Sequence, residues 1–244
     1  LLSSTVTVSA AVVAVVAAAA LVLHSLRVRD PILELRFLGR SVYRASIVGG
    51  AFGRLGLGAM PFLMPLFLQA GLGWSPLETG AVMAAQMAGS LAARPVGSLA
   101  IRRLGFRGAI LGMGLLTAAF TAVPPLFTGA TSAWTVGALL FGIGLARAGY
   151  YVAANPIAFT DIEADEVSRA STLATVVQQL TLGFGVSLAG FLLFLSSGGG
   201  ALSPRDFATT FLALATVAAL AVVPFLRLPA HAGAHMRYGG PPHE

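Results

Sequence analysis

The sequence predicts an all-α fold, a polytopic bundle of membrane-spanning helices. Of its 244 residues, 57% are hydrophobic and 10% are charged, and the mean hydropathy is +0.86. A soluble domain carries about 25% charged residues, so this chain could not cover a globular surface with polar groups. One crossing of the hydrocarbon core takes about 20 apolar residues. The predicted spans lie at residues 5–26, 45–70, 77–100, 108–128, 133–158, 169–195 and 207–227.

The cysteine and charge content exclude several other classes of protein. The chain has no cysteine, which rules out a disulfide scaffold, thiolate metal sites and cysteine nucleophiles. Its net charge is +6, but the arginines fall between apolar runs and do not share a soluble face with interleaved aromatic residues, as nucleic-acid binding requires. We therefore expect a lipid bilayer as partner, and no nucleic acid, cofactor or metal ion.

The two ends of the chain differ in composition from the middle. The first run is nearly all Ala, Val and Leu, without the basic n-region or cleavage site of a signal peptide, and is predicted to be a membrane helix. Asp30-Pro31 opens an amphipathic stretch through Leu38 that is expected to lie along the inner membrane surface. The chain starts without methionine, and we expect it to be the C-terminal part of a longer protein. Residues 229–244 are rich in Gly, Pro and His and are predicted to be disordered.

Two tetrapeptides predict where helices begin. Ser75-Pro76-Leu77-Glu78 has the pattern of a capping box with proline at the first helical position. Ser203-Pro204-Arg205-Asp206 repeats this pattern less perfectly before the last span.

The arginine distribution predicts how the spans are oriented. Of the 15 basic residues, all arginine, eleven lie in loops on one side, three lie inside spans, and Arg205 lies on the other side. Such a bias marks the cytoplasmic side, so Leu1 is predicted outside and the C-terminus in the cytoplasm of a cell (inner) membrane. Trp74 and Trp134 fall at outer helix ends, as an aromatic belt requires. The eleven arginines are Arg27, Arg29, Arg36, Arg40, Arg44, Arg102, Arg103, Arg107, Arg169, Arg227 and Arg237.

The chain contains a weak internal repeat. The segment 52–56, Phe-Gly-Arg-Leu-Gly, matches 145–149, Leu-Ala-Arg-Ala-Gly, at an offset of 93 residues. The same offset relates the starts of the third and sixth spans. Spans two to four and five to seven are therefore predicted to form two three-helix units, and an odd number of spans per unit inverts the second one in the membrane.

Two stretches carry a family resemblance. The first runs from Leu35-Arg36-Phe37 to Arg54-Leu55-Gly56 and then from Pro61-Phe62-Leu63 to Gln69. The second contains Asn155-Pro156-Ile157-Ala158-Phe159-Thr160-Asp161-Ile162, Val167-Ser168-Arg169-Ala170-Ser171 and Val177-Gln178-Gln179-Leu180. They resemble the fourteen-helix drug:proton antiporters of the major facilitator superfamily, whose halves are built as 3+3 inverted repeats.

The resemblance covers nearly the whole chain and implies its domain organisation. Residues 1–44 would hold a transmembrane linker helix and a cytoplasmic connection, residues 45–228 the C-terminal six-helix transporter domain, and residues 229–244 the tail. The N-terminal six helices and the first linker helix would then be absent.

One loop motif of the superfamily occurs here in altered form. The family pattern places an aspartate between small residues and several arginines, whereas Ile101 or Arg102 stands at that position in this chain. A salt-bridge latch is therefore not expected in this half, and the arginines are expected to act mainly as orientation signals. The retained motif residues are Gly97, Arg102, Arg103, Gly105 and Arg107.

Two arginines are predicted at membrane depth, where a charge costs about 2.5–3.5 kcal/mol on insertion scales. Arg54 lies about 15 Å into its span at 1.5 Å per residue, and Arg147 lies at similar depth. The resemblance places their helices around a central cavity. They are expected to bind substrate anions or to pair with a carboxylate of the missing half. The structural alternative is that they bond to carbonyl groups near Pro61, Pro65 or Pro156.

Other polar residues extend the candidate cavity. Tyr150, Tyr151 and Asn155 follow Arg147 by three, four and eight residues, on one helix face. Aromatic surface with a few hydrogen-bonding groups suits amphipathic ligands. The alternative is an aromatic pair packed against neighbouring helices.

Glutamines on two other spans are further candidates. Gln86, Ser90 and Arg94 share a helix face. Arg94 lies near the inner end of its span, so its side chain is expected to extend to the membrane interface. Gln178 and Gln179 cannot both face one direction. Gln178 is therefore the candidate for the cavity, and its neighbour is expected to bond to another helix.

The acidic residues lie outside the interiors of the predicted spans. All 9 lie in loops, at helix ends or in the tail, so the proton-carrying carboxylate is expected on the missing half. The predicted function is the C-terminal part of a secondary exporter that moves drugs or other amphipathic small molecules outward against proton entry. The alternative is the same fold moving anionic metabolites. Neither HExxH nor GxSxG occurs, so an enzyme is not expected, and a non-transporting scaffold is the remaining class.

Overall fold

The computed structural model describes residues 34–198, 200 and 202–227, and in this part of the chain it contains helices and no strand. The predicted first span, residues 30–33 and the predicted disordered tail lie outside the described residues. Turns of 3-10 helix lie at Leu35–Gly39, Pro124–Leu126 and Val223–Arg227, and a π-helical turn lies at Phe67–Gly71. The α-helices are α1 (Ser41–Leu57), α2 (Met60–Leu66), α3 (Pro76–Thr121), α4 (Ala133–Ile157), α5 (Val167–Ser197) and α6 (Pro204–Leu220).

Helix α3 reverses direction at Gly105, where φ is 75° and ψ is 172°. We call residues 76–104 the first arm and residues 106–121 the second arm. Gly89 of the first arm lies against Phe141 and Gly97 lies against Val152, so this arm runs parallel to α4. In the second arm Met113 lies against Gly149 and Phe120 against Gly142, so that arm runs antiparallel to α4. The two arms are therefore two separate crossings.

The helices account for six crossings in the described part of the chain. There, 5 stretches are long and apolar enough to span a membrane, and the one at residues 76–126 has 51 residues. Since one crossing takes about 20 residues, this stretch supplies two, one for each arm. Each predicted span from residue 45 onward thus coincides with a helix or an arm, and α1, α2 and the π-helical turn together form one of them.

Both predicted helix starts are confirmed. At the start of α3, the Glu78 backbone N–H donates to Ser75 Oγ over 3.3 Å and the Ser75 N–H donates to Glu78 Oε2 over 3.0 Å. At the start of α6, the Asp206 carboxylate accepts from the Ser203 N–H over 2.8 Å and from its hydroxyl over 2.7 Å. Each cap satisfies backbone donors that a helix start leaves free.

The two three-helix units have opposite orientations, as the repeat predicts. Gly49 of α1 lies against Phe225 while Gly56 lies against Ala218, so α1 runs antiparallel to α6. The second arm is antiparallel to α6 and its continuation, because Arg107 contacts Leu226 while Gly114 contacts Val222. The second arm is also antiparallel to α4, as its contacts with Gly149 and Gly142 show. Helices α1 and α4, each the first of its unit, therefore point in opposite directions.

A buried ion cluster joins the chain before α1 to the loop before α5. Glu166 accepts from Arg36 over 2.8 Å and from Arg40 over 2.6 Å, and Glu34 binds Arg36 over 2.5 Å and Arg169 over 2.8 Å. Both glutamates are buried while the arginines are partly exposed. Three arginines that were predicted as orientation signals thus also hold two loops together.

The turn before α1 is packed into the bundle. Phe37 is buried and its ring centroid lies 6.0 Å from that of Tyr43. The Tyr43 hydroxyl donates to the carbonyl of Ala170 in α5 over 2.6 Å. The described end of the predicted amphipathic stretch therefore buries its aromatic residue against helices.

Glu166→Gln is expected to lower the midpoint of thermal unfolding on the order of 3 °C, the shift that a loss of about 1 kcal/mol produces in a domain of this size. The amide cannot hold Arg36 and Arg40 as a carboxylate does. Unfolding of the detergent-solubilised protein measures this change. Glu163→Gln is the control, because Glu163 is exposed and forms no ion pair among the described residues. Equal midpoints for the two variants would contradict the prediction.

Candidate substrate cavity

A cavity of about 390 Å³ lies between α1, the first arm, α4 and α5. Its volume falls within the range of small-molecule sites, roughly 300–1,000 Å³. The lining combines two arginines, one tyrosine, and small or amide side chains with apolar residues. The lining residues are Arg54, Leu57, Gly58, Ser90, Arg147, Ala148, Tyr151, Val152, Asn155, Gln178 and Leu182.

The structure brings five of the predicted cavity residues together. Arg147, Tyr151 and Asn155 follow each other at four-residue intervals on α4, so they share one face of that helix. Arg54 reaches the same space from α1, and Gln178 reaches it from α5.

Arg54 connects three of the four elements around the cavity, namely α1, α4 and α5. Its Nη2 donates to Gln178 Oε1 over 2.9 Å, and its guanidinium carbon lies 4.6 Å from the centroid of the Tyr151 ring. A cation over an aromatic face is stabilised by the ring quadrupole. Gly53 of α1 lies close to the same tyrosine, since a Cβ there would lie 3.1 Å from the Tyr151 hydroxyl.

A second cavity of about 280 Å³ continues toward the arginine-rich end. It shares Arg54, Asn155 and Gln178 with the first cavity. Its other lining residues are Ser46, Ile47, Ala154, Ala158, Phe159, Ser171, Ala174 and Thr175.

Sequence reasoning missed three polar residues of this second cavity, Ser46, Ser171 and Thr175. Ser171, Thr175 and Gln178 follow each other at four and three residues on α5, and Ser46 lies two turns before Arg54 on α1. These are helical spacings, so a search for polar stripes in the sixth span would have found them.

Tyr150 does not line the cavity, which corrects one sequence prediction. It is buried, its hydroxyl donates to the carbonyl of Ala221 over 3.3 Å, and its ring centroid lies 6.2 Å from that of Phe225. Neighbouring helix residues point about 100° apart at 3.6 residues per turn, so Tyr150 faces α6 when Tyr151 faces the cavity. For Tyr150, the alternative of an aromatic residue packed against neighbouring helices is therefore the correct one.

Gln86 is also absent from the cavity lining. It is buried where Gly144 brings α4 close to the first arm, and its Nε2 has no hydrogen-bond partner among the described residues. Ser90, one turn later, reaches the cavity instead. On α5, Gln178 lines the cavity while Gln179 is exposed, so the two do diverge.

The loop-motif residues gather where α3 reverses. Gly97 packs against Val152 of α4, Gly105 makes the reversal, and Arg107 donates to the carbonyl of Leu226 over 2.8 Å. Arg102 and Arg103 occupy the last turn before Gly105.

No carboxylate lines either cavity among the described residues. The acids of this part of the chain stand near helix ends: Glu78 and Asp206 cap helices, and Glu34 and Glu166 belong to the ion cluster. The cavity therefore holds two guanidinium groups without an acid from this part of the chain.

Inverted three-helix units around a polar cavity define one half of a secondary transporter. Residues 46–237 match the family described as Major Facilitator Superfamily. The chain belongs to that superfamily, which confirms the resemblance found in the sequence.

Similar proteins carry the name multidrug resistance protein MdtD. The one from Pectobacterium carotovorum subsp. carotovorum is 30% identical over 213 residues, which cover 85% of this chain and 46% of that relative. The one from Klebsiella pneumoniae subsp. pneumoniae is 32% identical over 197 residues, covering 77% of this chain and 41% of that relative. The chain thus spans about half the length of the curated relatives it matches. It is a multi-pass membrane protein.

Proposed function

We propose that this chain forms the C-terminal half of a transporter that exports drugs or other amphipathic small molecules by alternating access. The cavity between α1, the first arm, α4 and α5 carries the proposal, because it offers an aromatic face, two amides and two guanidinium groups to a ligand. The names of the relatives support multidrug export. An N-terminal half, which the greater length of the relatives suggests, would close the cavity from the other side.

Rocking of the two halves would expose the cavity to each side of the membrane in turn. Glycine contacts such as Gly56 with α6 and Gly185 with α1 keep the helices of this half close together, so the half can move as one unit. Proton coupling needs a titratable group within the membrane. Because the acids of the described residues stand at helix ends or in loops, we place that carboxylate on the N-terminal half.

We also propose that the arginine-rich end faces the cytoplasm, which puts the C-terminus there. Arg36, Arg40 and Arg169 meet in the ion cluster, and Arg107 contacts Leu226, so loops distant in sequence gather at one end. A surplus of arginine on one side of a membrane protein marks the cytoplasmic side.

Export of a fluorescent aromatic dye tests the proposal. Cells that produce the complete transporter, meaning this chain with its N-terminal half, should extrude the dye and stop when a protonophore is added. Tyr151→Leu should lower the efflux rate at least fivefold, because it removes the aromatic face of the cavity and keeps apolar bulk.

The matched control is Phe191→Leu, since Phe191 is an exposed aromatic residue of α5 outside both cavities. This variant should transport as the parent does. A well-expressed transporter that extrudes no dye, or equal rates for the two variants, would contradict the proposal.

A further inference from the structure

We infer that the cavity selects organic anions, namely aromatic molecules that carry a carboxylate, through Arg54 and Arg147. The inference names the substrate class of the proposed transport site and rests on that function. It begins from charge: both guanidinium groups line the same cavity, and neither forms an ion pair among the described residues.

Arg54 is held in place but not fully satisfied. Of its five N–H groups, the described residues engage one with Gln178, and the guanidinium carbon lies over the Tyr151 ring. A guanidinium fixed by a ring and an amide loses little freedom when it binds a ligand. Its remaining donors suit the planar oxygens of a carboxylate.

The Tyr151 ring beside Arg54 lines the cavity and offers apolar surface to the body of an aromatic ligand. Its hydroxyl is buried against Gly53 of α1 and has no hydrogen-bond partner among the described residues. The ring, and not the hydroxyl, is therefore the part of Tyr151 that a ligand would contact.

The field in the cavity discriminates by the sign of the ligand charge. Two positive groups in a site of low dielectric constant attract an anion and repel a cation, and neither interaction is screened as it is in water. Because no carboxylate of the described residues lines the cavity, the attraction is not cancelled within this half. An acid on the N-terminal half that neutralised the arginines would remove the selectivity.

A matched set of probes tests the inference on the purified complete transporter. The probes are 2-naphthoate, its methyl ester and 2-naphthylmethylammonium at pH 7, which share one aromatic body and differ in charge. Titration calorimetry should show 2-naphthoate binding at least tenfold more tightly than the ester, and the ammonium probe more weakly than the ester.

Substitutions assign the preference to the two arginines. Arg54→Gln and Arg147→Gln should each reduce the preference for 2-naphthoate over the ester at least fivefold, because binding of the anion falls further than binding of the ester. Arg147→Lys should keep most of the preference, since it retains the charge. Arg205→Gln is the control, because Arg205 is an exposed arginine at the start of α6 outside the cavity.

Several outcomes would overturn the inference. They are equal affinity for 2-naphthoate and its ester, tighter binding of the ammonium probe, or a parallel loss of both neutral and anionic ligands in the glutamine variants. Binding that is present while proteoliposomes fail to transport 2-naphthoate would refute the transport function and leave the selectivity intact. Export of cationic dye without anion preference would refute the selectivity alone.

Discussion

Gly144→Ala is expected to separate the first arm from α4 and to destabilise the protein by about 3 kcal/mol, the upper end of overpacking costs. A Cβ at position 144 would overlap the backbone carbonyl oxygen of Gln86 and lie 3.1 Å from the backbone nitrogen of Ser90. Both atoms belong to helix backbone, which cannot rotate away as a side chain does. Gly89 makes the reciprocal contact, since a Cβ there would overlap the carbonyl oxygen of Phe141.

The contact also shapes the cavity, because Ser90 and Arg147 lie one turn or less from it and both line the cavity. The thermal unfolding midpoint and the monodisperse fraction in detergent measure the effect. Gly112→Ala serves as control: a Cβ there meets nothing within 4 Å, and alanine favours helix over glycine by up to about 1 kcal/mol. If Gly144→Ala unfolds at the same temperature as the control, the helices do not approach this closely.

Gly105→Ala is expected to destabilise the protein by about 1–3 kcal/mol for a different reason, backbone strain. The position has φ 75° and ψ 172°, a region that residues with a Cβ rarely adopt. Space is not limiting, since a Cβ at Gly105 meets nothing within 4 Å. The strain would disturb the reversal that separates the two arms.

The control for this second prediction is Gly39→Ala, a glycine in equally open space but without a positive φ. Unfolding midpoints of both variants should be compared in the same detergent. A midpoint for Gly105→Ala within error of Gly39→Ala would show that the reversal does not depend on glycine.

Much of the fold follows from local sequence patterns. The two capping boxes at Ser75 and Ser203 each involve residues three apart, so their formation needs no tertiary information. The crossings follow from the length of the apolar runs, because a helix satisfies its own backbone groups within the hydrocarbon core. The break at Gly105 is the one boundary between two of these crossings that lies inside a continuous helical stretch.

The candidate site was predicted in part. Helical spacing correctly grouped Arg147, Tyr151 and Asn155 on one face. The same spacing could not place Tyr150, because residues three and four positions after Arg147 are themselves about 100° apart around the helix. The contact of its ring with Phe225, in the 3-10 turn that follows α6, decides which way Tyr150 points.

The sequence by itself determined the class of fold, the number and ends of the described spans, the inverted repeat and the residues available for a cavity. These depend on local hydrogen bonding and on the cost of polar groups in lipid. The tertiary structure decided which candidates meet: Arg54 with Gln178, 124 positions apart, and Glu166 with Arg36, 130 positions apart. Such pairs depend on how closely helices pack, and that distance is determined by glycine contacts between helices that lie far apart along the chain.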